Sequence, residues 1–334
     1  MNLESLRGKL LLSLLLGVLV YVGLSFYADF KDLAASFEEF RWELLPLILA
    51  LTSFNYVLRF IKWEFYLAQI GVRGLSKWNS LLIYYSGLGM VVTPGKVGEW
   101  LKSYLLREVH GTPAARSAPI LIAERLTDSI ALLILASIGV IMFRNLWPVV
   151  VVVAAGSVLL VSAARHRGFA AWLMALGGRV PVANRFVPHF QEFYESSYTL
   201  LAPWSVFLMT GLSIASWFFE VAAMFVTFLG LGLDPSLDLL LKSAFILPIA
   251  TLAAAILFTP GGLGVAEGGI TGLSQSLLDL SASAAAVATL VIRFGTLWFG
   301  VIVGLGAFAI LGRKMALTVA AEVDPGAAEA VPEG

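Results

Sequence analysis

The sequence predicts an all-α polytopic integral membrane protein with about six full spans and two re-entrant helical hairpins in an inverted repeat. Three observations carry that expectation: an apolar share too large for a soluble core, a series of apolar runs of spanning length, and one helix-breaking motif that occurs twice. Of the 334 residues, 59% are hydrophobic and 13% are charged, and the mean hydropathy is +0.88. A soluble domain carries about 25% charged residues, so this composition fits lipid as its solvent. Lys plus Arg and Asp plus Glu each number 22, which leaves no net basic field for a nucleic-acid partner. The absence of cysteine excludes disulfides, thiolate catalysis and Cys-ligated metals. His110, His166 and His189 are far apart in sequence, so neither a metal centre nor another cofactor is expected.

A spanning helix needs about 20 apolar residues. The first such run, 10–27, follows Arg7 and Lys9 and could pass for a signal peptide. No small-x-small cleavage site precedes Phe30 and further spans follow, so it reads as a retained helix. The next full runs are 44–67, 117–143, 147–164, 204–231 and 284–311. Two more, 81–92 and 239–258, run into Thr-Pro-Gly and do not read as plain spans. With the N-terminus in the cytoplasm, fourteen Lys or Arg fall in cytoplasmic segments, against Lys31, Arg41, Arg144 and Lys242 outside. A cytoplasmic-membrane protein with both termini inside is therefore expected. Residues 1–319 read as one membrane domain. Within it, 165–203 forms a basic, aromatic-containing cytoplasmic linker expected to hold an amphipathic surface helix. The small, acidic tail 320–334 reads as disordered.

The broken motif is Thr93-Pro94-Gly95-Lys96-Val97-Gly98-Glu99, echoed by Thr259-Pro260-Gly261-Gly262-Leu263-Gly264 with Glu267 just after. Each copy follows a long span and a Gly-containing turn (Gly71, Gly232), and each precedes a span bearing an Arg, Arg125 or Arg293. Span parity makes the two copies, about 44–143 and 204–312, enter from opposite faces. Many transporters place a midplane substrate site in such a frame. Pro and Gly break the helix, and broken backbone at membrane depth is tolerated only in protein or at a water-filled cavity. Thr before Pro fits an N-cap before N1, so a half-helix is expected to start at each Thr. Its free N–H groups would favour an anion such as a phosphate, with Lys96 adding a full charge.

Charges at bilayer depth cost about 2.5–3.5 kcal/mol each on insertion scales and tend to be paired or to line a pathway. Glu124, Arg125 and Asp128 cluster at the start of one span, and Arg59 and Lys62 share a face in another. Glu220 falls mid-span, Arg293 lies well inside the last span, and Glu99, Lys102 and Glu267 follow the breaks. For Arg59, Lys62 and Lys102 the plain alternative is snorkelling to the inner surface. The expectation is that these charges line one polar cavity and pair across the repeat. Gly89 to Gly95-Lys96 approaches a phosphate-binding loop, but with one residue too many and Val97 where a magnesium ligand belongs. Any transport is therefore expected to be passive or coupled to an ion gradient.

Four blocks carry a family resemblance: Arg59-x-x-Lys62-Trp63; Pro94-Gly95-Lys96-Val97-Gly98-Glu99-x-x-Lys102-x-x-Leu105-Leu106; Glu124-Arg125-x-x-Asp128; and Pro260-Gly261-Gly262-Leu263-Gly264-x-x-Glu267. Over about 41–312 the chain resembles the membrane region of bacterial lysylphosphatidylglycerol synthases and the stand-alone flippase-like proteins related to it. The resemblance implies movement of an anionic phospholipid, an aminoacyl-phospholipid or a lipid-linked saccharide between leaflets. It also implies that this chain, which ends without the soluble aminoacyl-transferase domain, does not make lysyl-lipid. Two other readings stay open: a membrane-embedded transferase on lipid-linked substrates, with Glu99, Glu124 or Asp128 as general base, and a non-catalytic membrane partner of a glycosyltransferase or other lipid-modifying enzyme.

Overall fold

The computed structural model describes residues 3–93, 97–140, most of 151–162, 166, 187–257 and 259–323. Every regular element among the described residues is helical. Helix α1 (Leu3–Tyr27) leads through Ala28 and Asp29 into the short amphipathic α2 (Phe30–Glu39). A 3-10 turn, Trp42–Leu44, then opens α3 (Leu45–Gln69), which has a Pro in its first turn, where the missing N–H has no partner to lose. There follow α4 (Lys77–Gly89), α5 (Val97–His110) and α6 (Ala114–Val140). After α7 (Val187–Leu200) the series runs again: α8 (Pro203–Gly230), α9 (Leu237–Ile256), α10 (Val265–Leu278) and α11 (Ala282–Arg293). A π-helical stretch, Phe294–Trp298, joins α11 to α12 (Phe299–Val323).

The two series are built alike at their turns. Gly71 (φ +77°) and Gly232 (φ +86°) end α3 and α8 in the left-handed conformation that glycine adopts without strain. A serine then caps the next helix in each: Ser76 accepts from the Asn79 N–H at 3.2 Å, and Ser236 from the Leu239 N–H at 3.1 Å. Within each series two antiparallel helices, α4 with α5 and α9 with α10, pack as a hairpin. The series also pack on each other reciprocally. Helix α3 lies against its counterpart α8; α4 lies against α12, and α9 against α6. At the first of these crossings Asn55 Nδ2 donates to the Ser216 carbonyl at 2.9 Å, and Ser216 Oγ donates to the Asn55 carbonyl at 3.3 Å. At the α4–α12 crossing the backbones touch. A Cβ added to Gly304 would lie 2.0 Å from the Gly89 nitrogen, so both positions require glycine.

Four stretches are long and apolar enough to cross a membrane: Trp42–Gln69, Pro203–Gly230, Leu237–Ile256 and Ala282–Ala316. Three coincide with expected spans. The third does not: 239–258 is expected as half of a partial insertion, yet α9 has 20 residues and so rises about 30 Å, the thickness of a bilayer core. Helix α4, with 13 residues, rises only about 20 Å. The two hairpins are therefore unequal in length. In the expected linker, α7 packs on α6, with Arg116 Nε donating to Glu192 at 2.9 Å. The expected helix 147–164 is described only in part, and 167–186 lies outside the described residues. Helix α12 continues to Val323, into the expected tail, and 324–334 lies outside the described residues.

Candidate functional site

The turn after α4 meets the turn after α9. Val92, at the end of α4's turn, is fully buried in a small cluster with Leu263, Leu297 and Val301. Gly261, at the second tip, has φ +58°, and a Cβ there would sit 3.0 Å from Val92 Cγ1 and 3.2 Å from Val92 Cα. Beside this contact lies a cavity of about 180 Å³, room for a phosphate-sized group and a few waters. Its polar lining is Tyr56 and Arg59 from α3, Arg125 from α6, Glu220 from α8, Thr251 from α9, Thr259 at the second tip, Arg293 from α11 and Thr296 from the π-helical stretch. Both series thus contribute to one chamber.

Behind the chamber wall the charges are tied together in pairs. Asp128 accepts from Arg59 Nη2 at 3.0 Å and from Lys62 Nζ at 2.5 Å, and Ser213 Oγ of α8 completes the knot at 3.0 Å from Asp128 and 2.7 Å from Lys62. The Arg59 guanidinium lies 5.6 Å from the Trp217 ring centroid. Lys102 Nζ donates to Glu124 at 2.6 Å and rests 4.9 Å from the Trp63 ring and 5.3 Å from the Tyr84 ring. In the second series Arg293 Nε donates to Glu267 Oε1 at 2.7 Å, and its Nη2 donates to the Gly261 carbonyl at 2.6 Å. Glu267 Oε2 accepts from the Gly264 N–H at 2.7 Å. Glu64, also in the second half of α3, pairs with Lys77 and accepts from Ser80, away from the chamber.

Two sequence expectations are corrected here. Among the described residues the pairs Arg59 and Lys62 with Asp128, Lys102 with Glu124, and Arg293 with Glu267 each form within one series. A long basic side chain reaches a carboxylate on the adjacent helix more easily than one beyond the chamber. From the Asp128 knot the bonds that cross are those of Ser213, which accepts from Lys62 and donates to Asp128. The second half-helix also does not start at its threonine. Thr259 makes no capping bond, a 3-10 turn Pro260–Gly262 intervenes, and α10 begins at Val265 with Gly264 (φ +83°) as its cap. The anion at that helix start is the protein's own Glu267, which closes one of the free N–H groups. Thr259 instead turns a buried hydroxyl, without a hydrogen-bond partner among the described residues, toward the chamber. Thr93, fully buried, donates its hydroxyl back to the Met90 carbonyl at 2.7 Å.

Of the residues expected at a site, Arg59, Arg125, Glu220, Thr259, Gly261 and Arg293 line the chamber. Lys62, Asp128, Gly264 and Glu267 stand one step behind it, and Lys102 with Glu124 form a separate knot under Trp63 and Tyr84. Pro94, Gly95 and Lys96 lie outside the described residues, as does the Glu99 side chain; Gly98 falls in the first turn of α5, and Pro260 opens the 3-10 turn. Sequence reasoning misses Ser213 and Trp217. They precede Glu220 by seven and three residues and so share its helix face, a spacing that could have found them.

The arrangement is a class of its own before any comparison: a multi-pass helical membrane protein with a charged chamber between two interlocked helical series. The family model for the lysylphosphatidylglycerol synthase TM region matches residues 14–304, and the chain belongs to that family. It is 24% identical to a UPF0104 membrane protein of Methanothermobacter thermautotrophicus, over 92% of this chain and 95% of that one. It is also 25% identical to glycosyltransferase AglD of Haloferax volcanii, over 95% of this chain but 56% of that relative.

Proposed function

We propose that the protein is a lipid flippase that passes an anionic headgroup through the chamber while the acyl or polyprenyl chains stay in the bilayer. The observation that carries this reading is the convergence of three arginines from three helices, Arg59, Arg125 and Arg293, on one cavity beside the touching turns. Arginine side chains clustered on one cavity in a low-dielectric site favour a bound anion. The two series, about 44–143 and 204–312, act as inverted copies in a cytoplasmic membrane with both termini inside. Each hairpin then enters from its own face, and the tips meet near the midplane. The buried hydroxyl of Thr259 and the bent backbone at Gly261 and Gly262 face a polar space, as lipid-exposed backbone could not.

Among anionic headgroups, a phosphate on a lipid-linked saccharide is favoured by the similarity to a glycosyltransferase along nearly all of this chain. The same similarity supports the alternative reading, a membrane part that serves a lipid-linked transferase without moving lipid. Reconstitution separates the two. Arg125→Ala is expected to lower leaflet exchange of a labelled anionic lipid at least tenfold with no loss of folded protein. Reconstituted wild-type protein that moves neither labelled phosphatidylglycerol nor a labelled polyprenyl-phosphate sugar would defeat the flippase reading.

A further inference from the structure

We infer that Glu220 is a proton-binding site whose protonation is coupled to entry of the anionic group into the chamber, an inference that rests on the flippase reading. Among the described residues, four carboxylates are buried in and around the chamber. Asp128, Glu124 and Glu267 each have a basic group within 3.0 Å. Glu220 is different. It lies near the middle of an apolar 28-residue helix, is 5% exposed, and faces the chamber, yet takes part in none of the ion pairs and hydrogen bonds of the described residues. A carboxylate in that position has either a proton or a share of a neighbour's charge to stabilise it.

The neighbours supply that share only while the chamber is empty. Helix α3 presents Tyr56, Arg59 and, one turn on, Lys62; α6 presents Glu124, Arg125 and Asp128; α11 ends in Arg293. Helix α9 turns Thr251 and alanines to the cavity and no ionisable side chain. The turn packed on the far end of α8 carries Glu43, which is exposed. Ionised Glu220 therefore draws on Arg59 and Arg293, two of the groups that a phosphate in the cavity would claim. Two negative charges in one small cavity repel strongly at low dielectric. When the anion enters, Glu220 takes a proton from water and becomes a neutral acid; when the anion leaves, the proton is released. Anion and proton thus travel together, and affinity rises as pH falls by up to tenfold per pH unit, the limit for one linked proton.

The test uses the full chain in liposomes containing short-chain fluorescent phosphatidylglycerol, with leaflet exchange read by quenching from outside. Acidifying by one pH unit the side from which the headgroup departs should speed wild-type exchange several-fold over symmetric pH. Whatever exchange Glu220→Gln retains should not respond to the gradient. In a weakly buffered detergent solution, adding dihexanoyl phosphatidylglycerol to the wild type should cause uptake of about one proton per chain, a readout that needs no variant to fold. Exchange that ignores the gradient, or binding without proton uptake, overturns the coupling and leaves the flippase reading standing. No exchange under any condition removes both.

Discussion

Lys102–Glu124 and Glu267–Arg293 each tie the second helix of a hairpin to the helix that follows it. Their charges run in opposite order. In the first series the cation comes from the hairpin helix and lies against Trp63 and Tyr84, so the pair is packed among aromatic side chains. In the second the cation comes from the following helix and spends its remaining hydrogen-bonding capacity on the Gly261 carbonyl, while its partner holds the Gly264 N–H. The same kind of tie thus serves cohesion in one series and shapes a hairpin tip in the other.

The largest expected effect lies outside both pairs, at the knot that anchors the first series to the second. Asp128→Asn leaves Arg59 and Lys62 both buried and facing an uncharged amide. Breaking one buried pair costs about 3–5 kcal/mol, and here two cations lose their counter-charge together. The variant is expected to fail to accumulate as folded protein, measured as monodisperse yield in detergent. Ser213→Ala, which removes only the neutral bridge, should lower thermal stability by a few degrees and no more. Equal losses from the two variants would mean that Asp128 is not the centre of the knot.

Exchanging the partners of each pair then sharpens the comparison. Each single reversal, Lys102→Glu or Glu124→Lys, is expected to cost about 3–5 kcal/mol through an uncompensated buried charge. The double exchange should recover most of that loss, short of the cation–π contribution of about 0.5–2 kcal/mol. In the second series the exchange of Glu267→Arg with Arg293→Glu should recover little. A carboxylate cannot donate to the Gly261 carbonyl, and a guanidinium cannot accept from the Gly264 N–H. Thermal unfolding of the six variants in one detergent decides it. Equal recovery in both series would show that backbone does not set the polarity of the second pair.

What the sequence made legible follows from period and punctuation. The long apolar runs specify α3, α8 and α11–α12 because a stretch of about 20 apolar residues has few other fates. Thr-Pro-Gly marks the turn after α9 because Pro and Gly act locally, whatever surrounds them. The pairing of charges was not legible. Arg59 and Asp128 are brought together by the crossing of α3 on α6, and one sequence carries no record of which helices cross. The same holds for Thr259, whose N-cap signature is genuine but yields to Gly264, where a positive φ and the Glu267 carboxylate give the helix a better start. The 20-residue length of α9 was legible in the run 239–258, which read as less than a plain span only because Thr-Pro-Gly follows it.

The smallest effect concerns the contact between the two turns. Gly261 combines a left-handed backbone with a close approach to Val92, so Gly261→Ala meets two penalties. An alanine forced to positive φ costs about 1 kcal/mol or a little more. Its Cβ would also press on Val92 at 3.0 Å, a contact tight enough to need a shift of a few tenths of an ångström. Val92→Ala removes the Cγ1 atom involved but not the Cα at 3.2 Å. Adding it to Gly261→Ala should therefore relieve part of the stability loss and none of the backbone strain. The same backbone holds the carbonyl that receives Arg293, so Gly261→Ala is expected to slow leaflet exchange more than its small stability loss implies. A double variant that regains stability but not exchange would place the tip's importance in the aim of that carbonyl; one that regains both would reduce it to packing.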